Sequence, residues 1–236
     1  MTEQELIIQE WAKQFARKNK DKMAKDLTDP TIYLSDNFPV SVFMAGSPGA
    51  GKTESSRNLI ETLKDDHSIL RIDPDDLRSK FEAYTGRNSS LFIAATSIIA
   101  DRMQDYALQN SQSFIFDGTF SNLERSRENI KRSLGKGRFV QIVYVYQEPV
   151  QAWEFVKARE IKDGRKVPKE AFIGQYFMAR NNVNLLKNEF GSQIQVDLIT
   201  KNIDGTDLSY RKNIDTIDPY APEKYNKAQL EKLIII

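Results

Sequence analysis

The stretch Val40-Ser-Val-Phe-Met-Ala-Gly46-Ser-Pro-Gly-Ala-Gly51-Lys52-Thr53 decides the fold. Residues 40–45 read as a buried strand, three glycines follow at 46, 49 and 51, and a helical pattern runs over 51–64. Strand, Gly-x-x-x-x-Gly-Lys-Thr and helix in that order are the context a phosphate-binding loop needs. The glycines let backbone N–H groups converge on phosphate oxygens with no Cβ in the way, and the helix start adds its own unpaired N–H groups. Lys52 can reach the β- and γ-phosphates, and the Thr53 hydroxyl can bind Mg²⁺. Gly46, Ser47, Pro48, Gly49, Ala50, Gly51, Lys52 and Thr53 are therefore the expected nucleotide-binding residues. A glycine turn without chemistry is the alternative, and the Lys-Thr pair with its flanking strand and helix argues against it.

Working outward, further apolar runs end in polar turns. Strands are expected at Ile69–Asp73, Ser113–Asp117, Phe139–Tyr146 and Ile194–Thr200, with helices between them. Asp73 suits an N-cap with Pro74 at the first helical position, opening a helix that carries Leu77, Phe81 and Tyr84 on one side. Other helices are expected at about 89–109, 121–134, from Pro149 onward, and 169–190. Five strands alternating with helices predict an α/β P-loop kinase fold: a mainly parallel five-stranded sheet with helices on both faces. Residues 38–203 form this kinase core. Residues 1–37 are an N-terminal helical segment that packs on or covers the core, its helix showing Ile7, Trp11 and Phe15 at four-residue spacing. Residues 204–236 are a polar C-terminal tail with a short helix near 222–234.

The totals narrow the class. The 236 residues suit one large α/β domain, 40% apolar content supports a core, and a net charge of +1 gives no sign of a nucleic-acid or membrane partner. There is no cysteine, so disulfides and thiolate metal sites are excluded. The single His67 reads as a solvated loop residue. The N-terminus lacks a signal-peptide pattern and no segment approaches a membrane span, so the cytoplasm is expected.

In open α/β sheets ligands bind beyond the carboxyl ends of the strands, where Asp73, Asp75 and Asp117 collect. Asp117 sits where such enzymes place a carboxylate that orients magnesium, with a capping role as its alternative. Asp75 can accept a hydroxyl proton, or it is a favourable charge at a helix N-terminus. Arg159 and Arg165 flank the turn after the fourth strand and could neutralise charge spreading over a transferred phosphoryl group, or simply be solvated. Asp101 stands in an apolar stretch and needs a partner, from a neighbouring side chain or a ligand.

With these residues in view the chain resembles the zeta toxin family of P-loop kinases over about residues 40–201. The resemblance is carried by Gly-Ser-Pro-Gly-Ala-Gly-Lys-Thr, Ile72-Asp73-Pro74-Asp75, Phe116-Asp117-Gly118-Thr119, and the Arg159/Arg165 pair with Pro168-Lys169 behind it. It implies an ATP- and Mg²⁺-dependent phosphotransferase acting on the sugar 3′-hydroxyl of UDP-N-acetylglucosamine, held in check by an antitoxin protein. It implies Asp75 as catalytic base, Lys52, Arg159 and Arg165 as catalytic cations, Thr53 and Asp117 at the metal, and Asp101, Asp117 and Thr119 at the sugar nucleotide. The family often has Glu at the positions of Asp101 and Asp117 and Arg at Ser121, which alters the acceptor pocket more than the ATP site. The alternatives are a same-fold kinase for an antibiotic, nucleoside or dinucleotide acceptor, and a nucleotide-hydrolysing switch. Against the switch, no Asn-Lys-x-Asp guanine signature is present.

Overall fold

A computed structural model describes residues 1–62 and 68–234. The expectations for His67, the last turn of the helix after the glycine loop and the final two isoleucines lie outside the described residues. In chain order the elements are α1 (Glu3–Leu27), β1 (Val40–Ala45), α2 (Lys52–Thr62), β2 (Leu70–Ile72), α3 (Ile93–Gln109), β3 (Phe114–Phe116), α4 (Leu123–Leu134), β4 (Phe139–Tyr146), α5 (Pro149–Asp163), α6 (Lys169–Phe190), β5 (Gln195–Lys201), β6 (Asp207–Arg211) and α7 (Lys227–Leu233).

The strands lie in the order β2-β3-β1-β4-β5-β6, the first five parallel and β6 antiparallel to β5. Because β1 is flanked by β3 on one side and β4 on the other, the chain reverses direction across the sheet beside β1. The crevice at its carboxyl end is the place such sheets reserve for ligands. Side chains alternate across β1: Phe43 and Ala45 join the core under α1, α3 and α6, while Val42 and Met44 pack on the opposite face with Leu59 and Ile60 of α2. Helices thus cover both faces, as the near-continuous apolar strands require. Among the described residues no helix is long and apolar enough to cross a membrane.

Three expectations are corrected. The sheet has a sixth strand, β6, formed by the polar stretch read as tail. It is held by Asp197 of β5, a fully buried carboxylate that accepts from Gln141 Nε2 at 2.6 Å, from the Tyr210 hydroxyl, and from the Asn213 amide at 2.8 Å. Beyond it Ile214, Ile217, Ala221, Leu230 and Ile234 are buried too. Second, no α-helix follows Asp73. The chain makes a 3₁₀ turn over Asp76–Lys80, and Asp73 Oδ1 accepts from the Asp75 amide at 2.8 Å across a tight turn. Leu77 and Phe81 are buried all the same, with Tyr84 packed against them. Third, α1 turns a different stripe inward. Ile7 is 64% exposed and Trp11 40%, whereas Ala12, Ala16 and Ala24 are fully buried against α3. Small side chains let the two helices approach closely, and Trp11 and Phe15 flank the seam by stacking on each other and edge-on to Phe81.

Candidate active site

The glycine loop takes the shape its sequence requires. Gly46, Gly49 and Gly51 have φ of +135°, +74° and +87°. A Cβ on Gly46 would strike the Val145 carbonyl oxygen, and one on Gly49 the Ala152 carbonyl oxygen. At both positions left-handed backbone and close approach to β4 or α5 exclude any larger residue. α2 begins at Lys52, so its first N–H groups, which have no partners within the helix, point into the loop. Lys52 Nζ is drawn back over the loop, donating to the Gly46 carbonyl at 3.0 Å and the Ser47 carbonyl at 2.6 Å. Burial lowers its pKa to about 8, with Asp117 and Asp75 pulling it up and Arg165 and Arg159 pushing it further down. A backbone cradle with a desolvated cation folded over it is a site for an anion.

The loop opens into a cleft of about 1170 Å³, large enough for a nucleotide and a second ligand. Thr53, Asp73, Asp75, Asp117, Thr119, Arg159 and Arg165 all line it. Asp75, just past β2, is held from two sides: Arg78 Nη2 lies 2.8 Å from Oδ1, and Arg165 Nη2 pairs with Oδ2. Arg165 reaches it because Gly164, at φ +70°, ends α5 and turns residues 165–168 across the cleft. There the Lys166 carbonyl accepts from Ser89 Oγ at 3.3 Å. Arg159 is exposed on the cleft side of α5. Asp117, buried at the end of β3, accepts at Oδ2 from Ser56 Oγ at 3.0 Å and from Arg71 Nη2 at 2.6 Å. Thr119 shares a hydrogen bond with Ser121 at 2.8 Å, and its carbonyl accepts from the Gly46 amide at 3.2 Å. Next to it Phe120 has φ +61°, a left-handed conformation costing ~1–3 kcal/mol in a non-glycine residue. Asn182 of α6 fixes it by donating to the Phe120 carbonyl at 3.0 Å.

Asp101 stands apart from the cleft lining. Its carboxylate pairs with Arg125 Nη2 at 2.6 Å, and it is Arg125, from α4, that faces the cleft. Arg125 also donates to Ser97 Oγ at 2.7 Å and lies over the Phe116 ring. Two further cations escaped the sequence reading. Arg78 is 7% exposed, with Nε and Nη1 buried and without a hydrogen-bond partner among the described residues. Arg71, in the middle of β2, contacts Asp73, Asp76 and Asp117 together. Burial first, then the neighbouring Asp117 and Asp75, raise the Asp73 carboxyl above its usual range despite Arg71. In sequence these arginines look like solvated charges on amphipathic elements. The only signal was Arg71 itself, a cation between two apolar residues of a strand.

A family model described as Zeta toxin matches residues 24–215. The chain belongs to the zeta toxin family. Solved structures with the same fold include one described as the PezAT chromosomal toxin–antitoxin system of Streptococcus pneumoniae. It superposes with a TM-score of 0.65 at 14% identity, covering 99% of this chain and 93% of that one. The AvrRxo1-ORF1:AvrRxo1-ORF2 structure with sulphate ions gives a TM-score of 0.61 at 16% identity, covering 90% and 70%. The same pair with ATP gives 0.58 at 17% identity, covering 85% and 64%. No curated protein sequence matches. This zeta toxin family member therefore has the P-loop kinase fold, the six-stranded sheet described above.

The donors at the carboxyl ends of β1 and β3 fit a hard divalent cation. The Thr53 hydroxyl and the Asp117 carboxylate both line the cleft beside the glycine loop and could hold a divalent cation through oxygen.

Proposed function

We propose that this chain is an ATP-dependent small-molecule kinase that phosphorylates an alcohol, with the sugar 3′-hydroxyl of UDP-N-acetylglucosamine as its favoured acceptor. The observation that carries the reading is Asp75, a carboxylate facing the Lys52 loop across a two-ligand cleft, its two oxygens gripped by Arg78 and Arg165. Against a nucleotide-hydrolysing switch, the sequence carries no Asn-Lys-x-Asp guanine signature. The triphosphate lies in the Gly46–Thr53 loop with Lys52 released from its two carbonyls to the β- and γ-phosphates. Thr53 and Asp117 would hold Mg²⁺, which when bound would neutralise negative charge on the phosphates.

Phosphates entering the cleft compete for Arg165, and its departure frees one oxygen of Asp75 for the acceptor hydroxyl. The acceptor oxygen then forms a bond to the γ-phosphorus as the bond to the ADP oxygen breaks. ADP leaves with that electron pair, and the hydroxyl proton passes to Asp75. Arg159 and Arg165 carry the charge that spreads over the phosphoryl oxygens. Asp73 suits the base role less well, because its cation partner Arg71 does not line the cleft and is not drawn off by an entering phosphate, whereas Arg165, the partner of Asp75, does line it.

Thr119 is the proposed sugar-nucleotide contact in the turn after β3, together with Asp117, and Asp101 acts there through Arg125. Family membership supports the nucleotide-sugar acceptor, a cytoplasmic site of action and an antitoxin protein as partner. The α1 segment is proposed to complete the core, since its alanine seam is packed on α3. ADP release measured against a panel of nucleotide sugars, nucleosides and antibiotics tests the proposal. UDP-N-acetylglucosamine should give the largest acceptor-dependent rate, and the product should be a sugar phosphate. ADP release at one rate with every acceptor and with none would replace the kinase with a hydrolase.

A further inference from the structure

β2 is three residues long, and its outer two, Leu70 and Ile72, are buried apolar side chains. Between them Arg71 is only 13% exposed and sits at the focus of three carboxylates. Nη2 pairs with Asp73 Oδ2 and lies 2.6 Å from Asp117 Oδ2, while Nη1 lies 2.6 Å from Asp76 Oδ2. Nε lies 3.2 Å from both Asp117 Oδ2 and Ser56 Oγ. Every nitrogen of the guanidinium is engaged, next to Asp117, the carboxylate assigned to the metal. The fork geometry makes these strong, directional contacts.

Remove that cation and three carboxylates remain, two of them buried, beside the Ser56 hydroxyl. Such a concentration of uncompensated oxygen anions would attract a divalent cation. With Arg71 in place, no group of three or more acidic, histidine or cysteine side chains among the described residues is arranged to hold a metal. We propose that Arg71 is a positioning residue that fills this cluster as an internal counter-cation. It keeps Asp117 aimed while denying the cluster to a metal arriving alone, so that the divalent cation enters only with the phosphates of the nucleotide. This rests on the nucleotide-site reading of the Gly46–Thr53 loop. Its benefit is that free metal does not lock the empty cleft.

Binding of Mn²⁺ to the full chain, read from the loss of its free electron paramagnetic resonance signal, tests the inference without measuring turnover. Wild type should bind Mn²⁺ weakly alone and at least ~10-fold more tightly with a non-hydrolysable ATP analogue, whose phosphates complete the coordination shell. Arg71→Met should bind Mn²⁺ without nucleotide more than ~5-fold more tightly than wild type, because the competing charge is gone. Arg71→Lys should stay within that factor of wild type. Should Arg71→Met fail to fold, Arg71→Gln, which also removes the charge and keeps all three acids, takes its place with the same expectation. A smaller gain in the folded variant would overturn the inference, as would wild-type Mn²⁺ binding that is equally tight with and without the analogue. If wild type does not bind the analogue with or without Mn²⁺, the nucleotide-site reading itself fails, which is a separate result.

Discussion

Raising the pH through 8 should loosen nucleotide binding, and Lys52 sets the size of the effect. Desolvation under the loop brings its pKa to about 8 in the empty protein. Polyphosphate oxygens replacing the Gly46 and Ser47 carbonyls restore the preference for the ammonium form. The unliganded side chain is ~90% protonated at pH 7 and ~10% at pH 9, so binding at pH 9 must recruit ~0.9 proton and affinity falls about tenfold between pH 7 and pH 9. A lysine at its ordinary pKa would still be ~95% charged at pH 9 and would show neither effect. Titration calorimetry with a non-hydrolysable analogue, in buffers of different ionisation enthalpy at pH 7 and 9, reads both quantities. The ATP phosphates have finished titrating over this range. Equal affinity at the two pH values with no proton uptake would refute the reasoning. The same shift works in the opposite direction on the empty protein. A lysine with a depressed folded pKa is a liability while charged, so its contribution to stability improves as pH rises from 8 towards 10.5. The melting-temperature difference between wild type and Lys52→Met should narrow accordingly.

Asp75→Asn keeps size and hydrogen bonding but cannot take a proton, so acceptor-dependent ADP release should fall by ~10²-fold or more with ATP binding retained. An inactive Asp73→Asn beside an active Asp75→Asn would move the base to Asp73. Arg165→Ala and Arg159→Ala should each lower the maximal rate by ~10²-fold and change the Michaelis constant for ATP much less, whereas solvated arginines would leave rates within ~2-fold of wild type. Ala16→Leu should lower the melting temperature by forcing α1 away from α3, at a cost of ~1–3 kcal/mol read from denaturant unfolding. Deleting residues 1–27 should lower solubility without raising activity; a well-behaved, activated truncation would instead make α1 a cover over the cleft.

The glycine loop was legible because its chemistry is local: three glycines, a lysine and a threonine must be contiguous to do their work, and β1 and α2 must flank them. The parallel strands were legible because burial on both faces leaves them almost wholly apolar. β6 was not, since an edge strand with one neighbour and solvent beyond can be polar throughout; only its long-range partner Asp197 betrays it. The apolar spacing of Leu77, Phe81 and Tyr84 suggested a helix, and two short turns bury the same side chains. In α1 the largest residues drew attention to the wrong stripe, because the seam is marked by alanines. Asp75, Asp117, Thr119 and Arg165 do meet in one cleft, but what each touches depends on partners far away in sequence. Arg71 answers to residues on another strand, and Arg125 stands between Asp101 and the cleft.

The β6 clasp has a consequence for where the chain can be cut. β5 would otherwise be the free margin of the sheet, a row of open backbone groups that invites pairing with another molecule. Asp197 would at the same time lose Tyr210 and Asn213 and keep only glutamine donors around a fully buried charge. A chain ending near residue 203 would retain the whole glycine loop, Asp75 and both cleft arginines, and still be expected to precipitate. The stretch that looks most like a disposable tail is the seam allowance of the sheet, and recombinant boundaries belong beyond α7.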